Sequence, residues 1–316
     1  MLCRRPLSVV FSVVVAGFFG TAAIAAEAPK VVVTTKPVHA LVAGVMAGVA
    51  EPTLVVDGSA SPHTFTLKPS VARAINSAEV FIRVSEQLEP FTRKVAEALP
   101  KSVTFVTLAD ANVGVKLLEQ RTSGTFEQHG DAEHDDHAGH DHEARYDAHI
   151  WLDPANAKAI VDVVAQTLAA TFPAHAAAFN TNATTLLAKI DALSSEIEKD
   201  LAPFKDKPFI VFHDAYQYFE KRFGLAAAGS VTLSPDQQPS AKRLTAVRKK
   251  IAELGAVCVF SEPGFQPNLI KAVTEGTKAR AGTLDPEGVA LTPGPELYFD
   301  LMRSLAKSAI DCLAQS

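Results

Sequence analysis

Between Ala174 and about Ala202, apolar residues recur at Phe179, Ala183, Leu186, Ile190, Leu193 and Ile197, three and four positions apart. That spacing lines one face of a helix with a buried stripe. At 1.5 Å per residue the helix would be about 40 Å long. A crossover within one domain needs less, so the segment reads as a rigid strut between two lobes.

The stretches on either side share one plan. Before the strut, strand-like runs at 30–35, 53–56, 79–84 and 103–108 alternate with helical spacing at 37–49, 67–77 and 88–98. Residues 146–152 follow, and a helix opens at Asp153-Pro154 with proline in its favoured first turn and ends near 171. After the strut come strands at 208–212, 257–260 and 281–284 and helices at 215–223, 240–254, 267–277 and 296–313. Such alternation predicts an α/β protein with mainly parallel sheets flanked by helices. The expected division is an N-terminal lobe over 27–172, a linking helix over 173–203 and a C-terminal lobe over 204–316.

Residues 1–26 read as an export signal. Arg4 and Arg5 precede an apolar run from Leu7 to Phe19, and Ala23-Ile24-Ala25-Ala26 offers small residues for cleavage. The run is short for a membrane span of roughly 20 residues. Cys3 lies before it and so cannot be the lipid-bearing cysteine that follows a cleavage site. The mature protein is expected to be soluble and outside the cytoplasm, which favours diffusion in a periplasm. Losing Arg4 and Arg5 from 30 basic residues leaves 28 against 35 acidic ones, a formal charge of −7. The basic residues are dispersed, which argues against nucleic acid. Cys258 and Cys312 remain, an even count in an oxidising compartment. A disulfide pinning the last helix to the second sheet is the expected reading, with buried thiols or soft metal ligands as alternatives.

Five of the ten histidines, His129, His134, His137, His140 and His142, crowd an acidic stretch within 127–143. It is too polar to build a core, so it is expected to be a loop. Imidazoles and carboxylates together suit a divalent metal, while a solvated acidic linker is the bland alternative.

Of the other histidines, three stand where a strand or loop hands over to a helix: His63, His149 and His213. Asp285 takes an equivalent place before Pro286. Ligands of open α/β folds gather at the carboxyl ends of strands. Three imidazoles and a carboxylate would make a four-coordinate site suited to Zn²⁺, with two ligands from each half of the chain. His39 and His175 lie in helical stretches and read as structural.

The chain resembles the periplasmic solute-binding proteins of zinc ABC transporters, the ZnuA type within a wider cluster that also serves manganese. The resemblance rests on Gly58 and His63 with Lys68-Pro69-Ser70, on His149-Ile150-Trp151-Leu152-Asp153-Pro154, and on His213-Asp214-Ala215-Tyr216. It extends to Ser261-Glu262-Pro263 and Leu284-Asp285-Pro286. It implies two α/β lobes, a long connecting helix and a metal between the lobes held by His63, His149, His213 and, less firmly, Asp285. Some relatives carry a glutamate before the first histidine; here Pro62 stands there. The implied function is non-catalytic capture of Zn²⁺ and delivery to a membrane permease, with a periplasmic zinc chaperone as a further candidate partner. The histidine loop is expected to be an auxiliary, exchangeable metal site. Asp153, Asp214 and Glu262 are candidates to orient the ligand imidazoles or to stabilise the interface around them. A manganese-binding member and a zinc hydrolase are the competing readings. The second lacks an H-E-x-x-H motif.

Overall fold

A computed structural model describes residues 27–121, 126, 145–235, 238–264 and 267–314. The expected export signal and histidine-rich loop lie outside them. Four short strands open the chain: β1 (Val31–Val33), β2 (Thr53–Leu54), β3 (Val80–Arg83) and β4 (Thr104–Thr107). They alternate with α1 (Lys36–Val45), α2 (Pro69–Asn76) and α3 (Thr92–Ala98). All pairings are parallel, in the order β2-β1-β3-β4. Side chains of a strand alternate between faces, and both faces here are buried. Val31, Val33 and Ile82 join the main core, while Val32 and Phe81 pack with Val55, Val56 and Ile75 on the other side.

The second sheet repeats this arrangement. Strands β5 (Phe209–Val211), β6 (Ala227–Ser230), β7 (Cys258–Ser261) and β8 (Arg280–Thr283) pair in parallel in the order β6-β5-β7-β8. Between the sheets run α4 (Pro154–Thr171) and α5 (Ala176–Leu201). The second sheet carries α6 (Gln217–Phe223), α7 (Ala241–Leu254) and α8 (Pro267–Thr274), and α9 (Leu297–Leu313) closes the fold. α5 has 26 residues, about 39 Å of helix. All six residues of its expected apolar stripe are buried.

Several expectations shift in detail. The helix expected from residue 88 starts at Thr92, because Ser85 to Thr92 forms hydrogen-bonded turns, with Glu89 N–H donating to Ser85 O at 3.1 Å. Residues 146–152 hold only an isolated bridge between Tyr146 and Glu119 and a 3₁₀ turn over Ile150–Leu152. β6 had no counterpart in the sequence reading, since its run of Ala227, Ala228 and Gly229 lacks the β-branched residues that mark strands. α9 packs not only on β8 but also on α1 and α5. One continuous apolar core therefore runs from Val31 to Leu313 through both sheets. Cys258 and Cys312 are bridged, tying β7 to α9 across a separation of 54 residues. Closing a loop of that length contributes on the order of 4 kcal/mol in the chain-entropy model. Gly282 on β8 is needed beside this bridge, because a Cβ there would come within 2.6 Å of the Phe260 ring. No described helix is long and apolar enough to cross a membrane.

Candidate metal centre

His213 follows β5, at the carboxyl end of the second sheet. His149 precedes the 3₁₀ turn Ile150–Leu152. His63 comes from the loop after β2, in a turn closed by Thr64 N–H donating to Ser61 O at 3.2 Å. The fold brings these three together: one ring nitrogen from each lies within 4.8 Å of the others.

The protons on two rings follow from their partners. His149 Nδ1 donates to Asp147 Oδ1 at 2.8 Å, and His213 Nδ1 donates to Glu262 Oε2 at 2.6 Å. An ionised carboxylate only accepts, so each Nδ1 carries a hydrogen and each Nε2 is the ring atom turned toward the other histidines. The two Nε2 atoms face one another at 3.3 Å. Two nitrogen ligands on a tetrahedral zinc, each about 2.0–2.1 Å from the ion, stand roughly 3.3–3.4 Å apart. His63 Nε2 is buried and meets no hydrogen-bond partner among the described residues. Burial, then the neighbouring His149 and His213, hold its pKa well below the ordinary value, so this ring is neutral. Burial also opposes charge on His213, but the Glu262 carboxylate prevails and raises its pKa.

The carboxylates are themselves held. Asp147 Oδ1 also accepts from His149 N–H at 3.0 Å. Glu262 Oε1 accepts from the Tyr216 hydroxyl at 3.0 Å and from His213 N–H at 3.4 Å. Burial and then Glu262 raise the Tyr216 pKa far above its usual value, so the phenol stays a donor. Such partners fix ring orientation and raise ligand basicity in metal sites.

Of the three acids expected to orient imidazoles or stabilise the interface, only Glu262 touches a ligand ring. Asp153 instead caps α4, accepting from Ala155 N–H at 2.9 Å. Asp214 pairs with Arg121 at 2.9 Å, and Arg121 also binds Glu220 at 2.9 Å. Burial pushes Asp214 up to about 7 despite the guanidinium. The place expected of Asp153 belongs to Asp147, two residues before its histidine. A D-x-H pattern was the only available signal, and it is a weak one.

Asp285 lines the same cavity, of about 290 Å³, as His63, His213, Glu262 and Glu287. It stands outside the three-histidine group, and its oxygens accept from Glu287 N–H at 3.1 Å and Ala290 N–H at 3.4 Å. His39 and His175 lie elsewhere: His39 Nε2 meets Pro52 O at 2.9 Å, and His175 packs on Phe179 with ring centroids 6.1 Å apart. The loop histidines fall outside the described residues, but the roots of their loop do not. Gln120 N–H donates to Arg145 O at 3.0 Å and Asp147 N–H to Leu118 O at 2.9 Å. Tyr218 of α6 accepts from Leu118 N–H at 3.0 Å and donates to Asp147 O at 2.8 Å. Both ends of the loop therefore emerge beside His149.

Two parallel α/β lobes, a long helix between them and a buried polar cluster where they meet define a two-lobed binding protein. Residues 31–312 match the family described as zinc-uptake complex component A, periplasmic, ZnuA. The chain belongs to that family, whose members are components of a transport system. It is 46% identical to the high-affinity zinc uptake system protein ZnuA of Brucella suis, over 96% of this chain and 97% of that one. It is 32% identical to the protein of the same name from Yersinia pestis, over 90% and 91% of the two chains. A solved structure described as the crystal structure of ZnuA shares the fold with a TM-score of 0.74 at 22% identity, over 91% of this chain and all of that one.

Proposed function

We propose that this protein captures Zn²⁺ in the periplasm and delivers it to the permease of an ABC transporter, with no covalent chemistry of its own. The observation that carries this reading is the pair of imidazole Nε2 atoms at 3.3 Å, each backed by a carboxylate on Nδ1. Two imidazole nitrogens at this spacing can share one cation once both rings are neutral. His63, His149 and His213 are the proposed ligands, and a set of neutral nitrogens favours zinc over manganese, which prefers oxygen donors. Affiliation with a periplasmic uptake family supports the location and the permease partner. The lobes over 27–172 and 204–316, with the linking helix over 173–203, form the cleft in this reading.

The loop histidines His129, His134, His137, His140 and His142 form a separate, weaker site that collects zinc for the cleft. The test is metal competition on the stripped mature chain beside a version lacking 127–143. Expected is one tight zinc in both, lost on His63→Ala. Tight binding that disappears with the loop would place the functional metal there instead.

A further inference from the structure

Asp285 and Glu287 sit two residues apart on the segment after β8, and both line the cavity in front of the imidazoles. Their oxygens are engaged very differently. Asp285 Oδ1 and Oδ2 accept from the amides of Glu287 and Ala290; burial raises its pKa, and these amides oppose that shift. This acid wraps its own segment around its carboxylate. Glu287 Oε1 is buried and meets no hydrogen-bond partner among the described residues. A buried, unpaired carboxylate oxygen is costly and calls for a reason.

The segment is anchored from the other half of the chain. Lys36 Nζ, at the start of α1, donates to the carbonyls of Gly288, Val289 and Leu291 at 3.4, 3.0 and 3.4 Å. Trp151 Nε1 donates to Pro286 O at 2.9 Å. The Glu287 backbone is thus fixed relative to His149, while its side chain keeps three rotatable torsions.

We propose that Glu287, rather than Asp285, supplies the oxygen donor for the ion held by His63, His149 and His213. This rests on the three-histidine reading above. Three neutral nitrogens leave a tetrahedral ion one open position and its full charge of two. A carboxylate with a free oxygen fills the first and halves the second. For Asp285 to do so, it would have to give up the amides of Glu287 and Ala290.

Cobalt(II) substituted for zinc in the mature chain reports the donor set through its visible absorption bands. Expected for Glu287→Gln are shifted bands and zinc binding weaker by about tenfold or more in chelator competition. Asp285→Asn should keep the wild-type bands and lower the melting temperature. Glu287→Asp, which retains charge but shortens the reach, is the second variant should the amide fail to fold, and it too should shift the bands. Wild-type bands and affinity in the Glu287 variants would overturn the proposal, as would bands that move with Asp285→Asn alone. His63→Ala separates the two readings. Its loss of tight metal beside unaffected Glu287 variants sinks only this proposal; intact binding in His63→Ala sinks both.

Discussion

Glu89 shows how strongly single acids are perturbed in this fold. It is fully buried, and its carboxyl accepts from the Thr34 hydroxyl and from the amides of Val84 and Ser85 at 3.3 and 2.8 Å. Burial nevertheless outweighs these bonds and pushes its pKa up to about 7. A raised pKa means that the folded state holds the proton more tightly than the unfolded chain. The stabilisation is complete below the unfolded value near 4.5 and is lost as pH rises through about 7. Its span is on the order of 3 kcal/mol. Glu89→Gln should therefore flatten the fall in stability of the metal-free protein between pH 5 and 8, measured by denaturant titration at each pH. An unchanged slope would assign it to other acids, such as Asp214. At this scale the sequence was legible where geometry is local. The three histidines betrayed themselves by standing at strand and turn ends. Arg121, Glu220 and Asp147 did not, because their roles depend on partners from distant segments or on a chain reversal that spacing does not encode.

At the scale of elements, the long helix is the clearest case of pattern determining structure. Ile190 sits fully buried in the middle of α5, and α5 packs against α1, α4 and α9. Ile190→Ala should cost about 2–5 kcal/mol through lost burial and a residual cavity. Glu198→Ala, exposed on the same helix, should stay within about 0.5 kcal/mol. Urea midpoints with unchanged slopes would show the difference. The periodicity that made α5 legible is absent from β6, whose small residues sit at a sheet edge and pair with β5 through backbone alone. Tertiary pairing, not propensity, makes it a strand.

For the whole molecule, two lobes in sequence do not mean two independent folding units. The main core passes through both sheets, and α9 reaches back to α1. Thermal unfolding followed by far-ultraviolet circular dichroism and by fluorescence of Trp151, the single tryptophan, should give coincident transitions. Separate midpoints would mean that the lobes melt apart. The two-lobed plan could be read from the alternation of elements, whereas the return of α9 could not, since an amphipathic helix does not announce which partner it covers.

That return also orders events in time. The apolar face of α1 forms among the first 45 residues, yet part of its cover arrives only with α9, more than 250 positions later. Until then the first lobe carries an unfinished surface, and contacts so far apart in sequence close slowly. The folding chain thus passes through an interval in which its leading half is built but not sealed, and that is when aggregation is hardest to avoid.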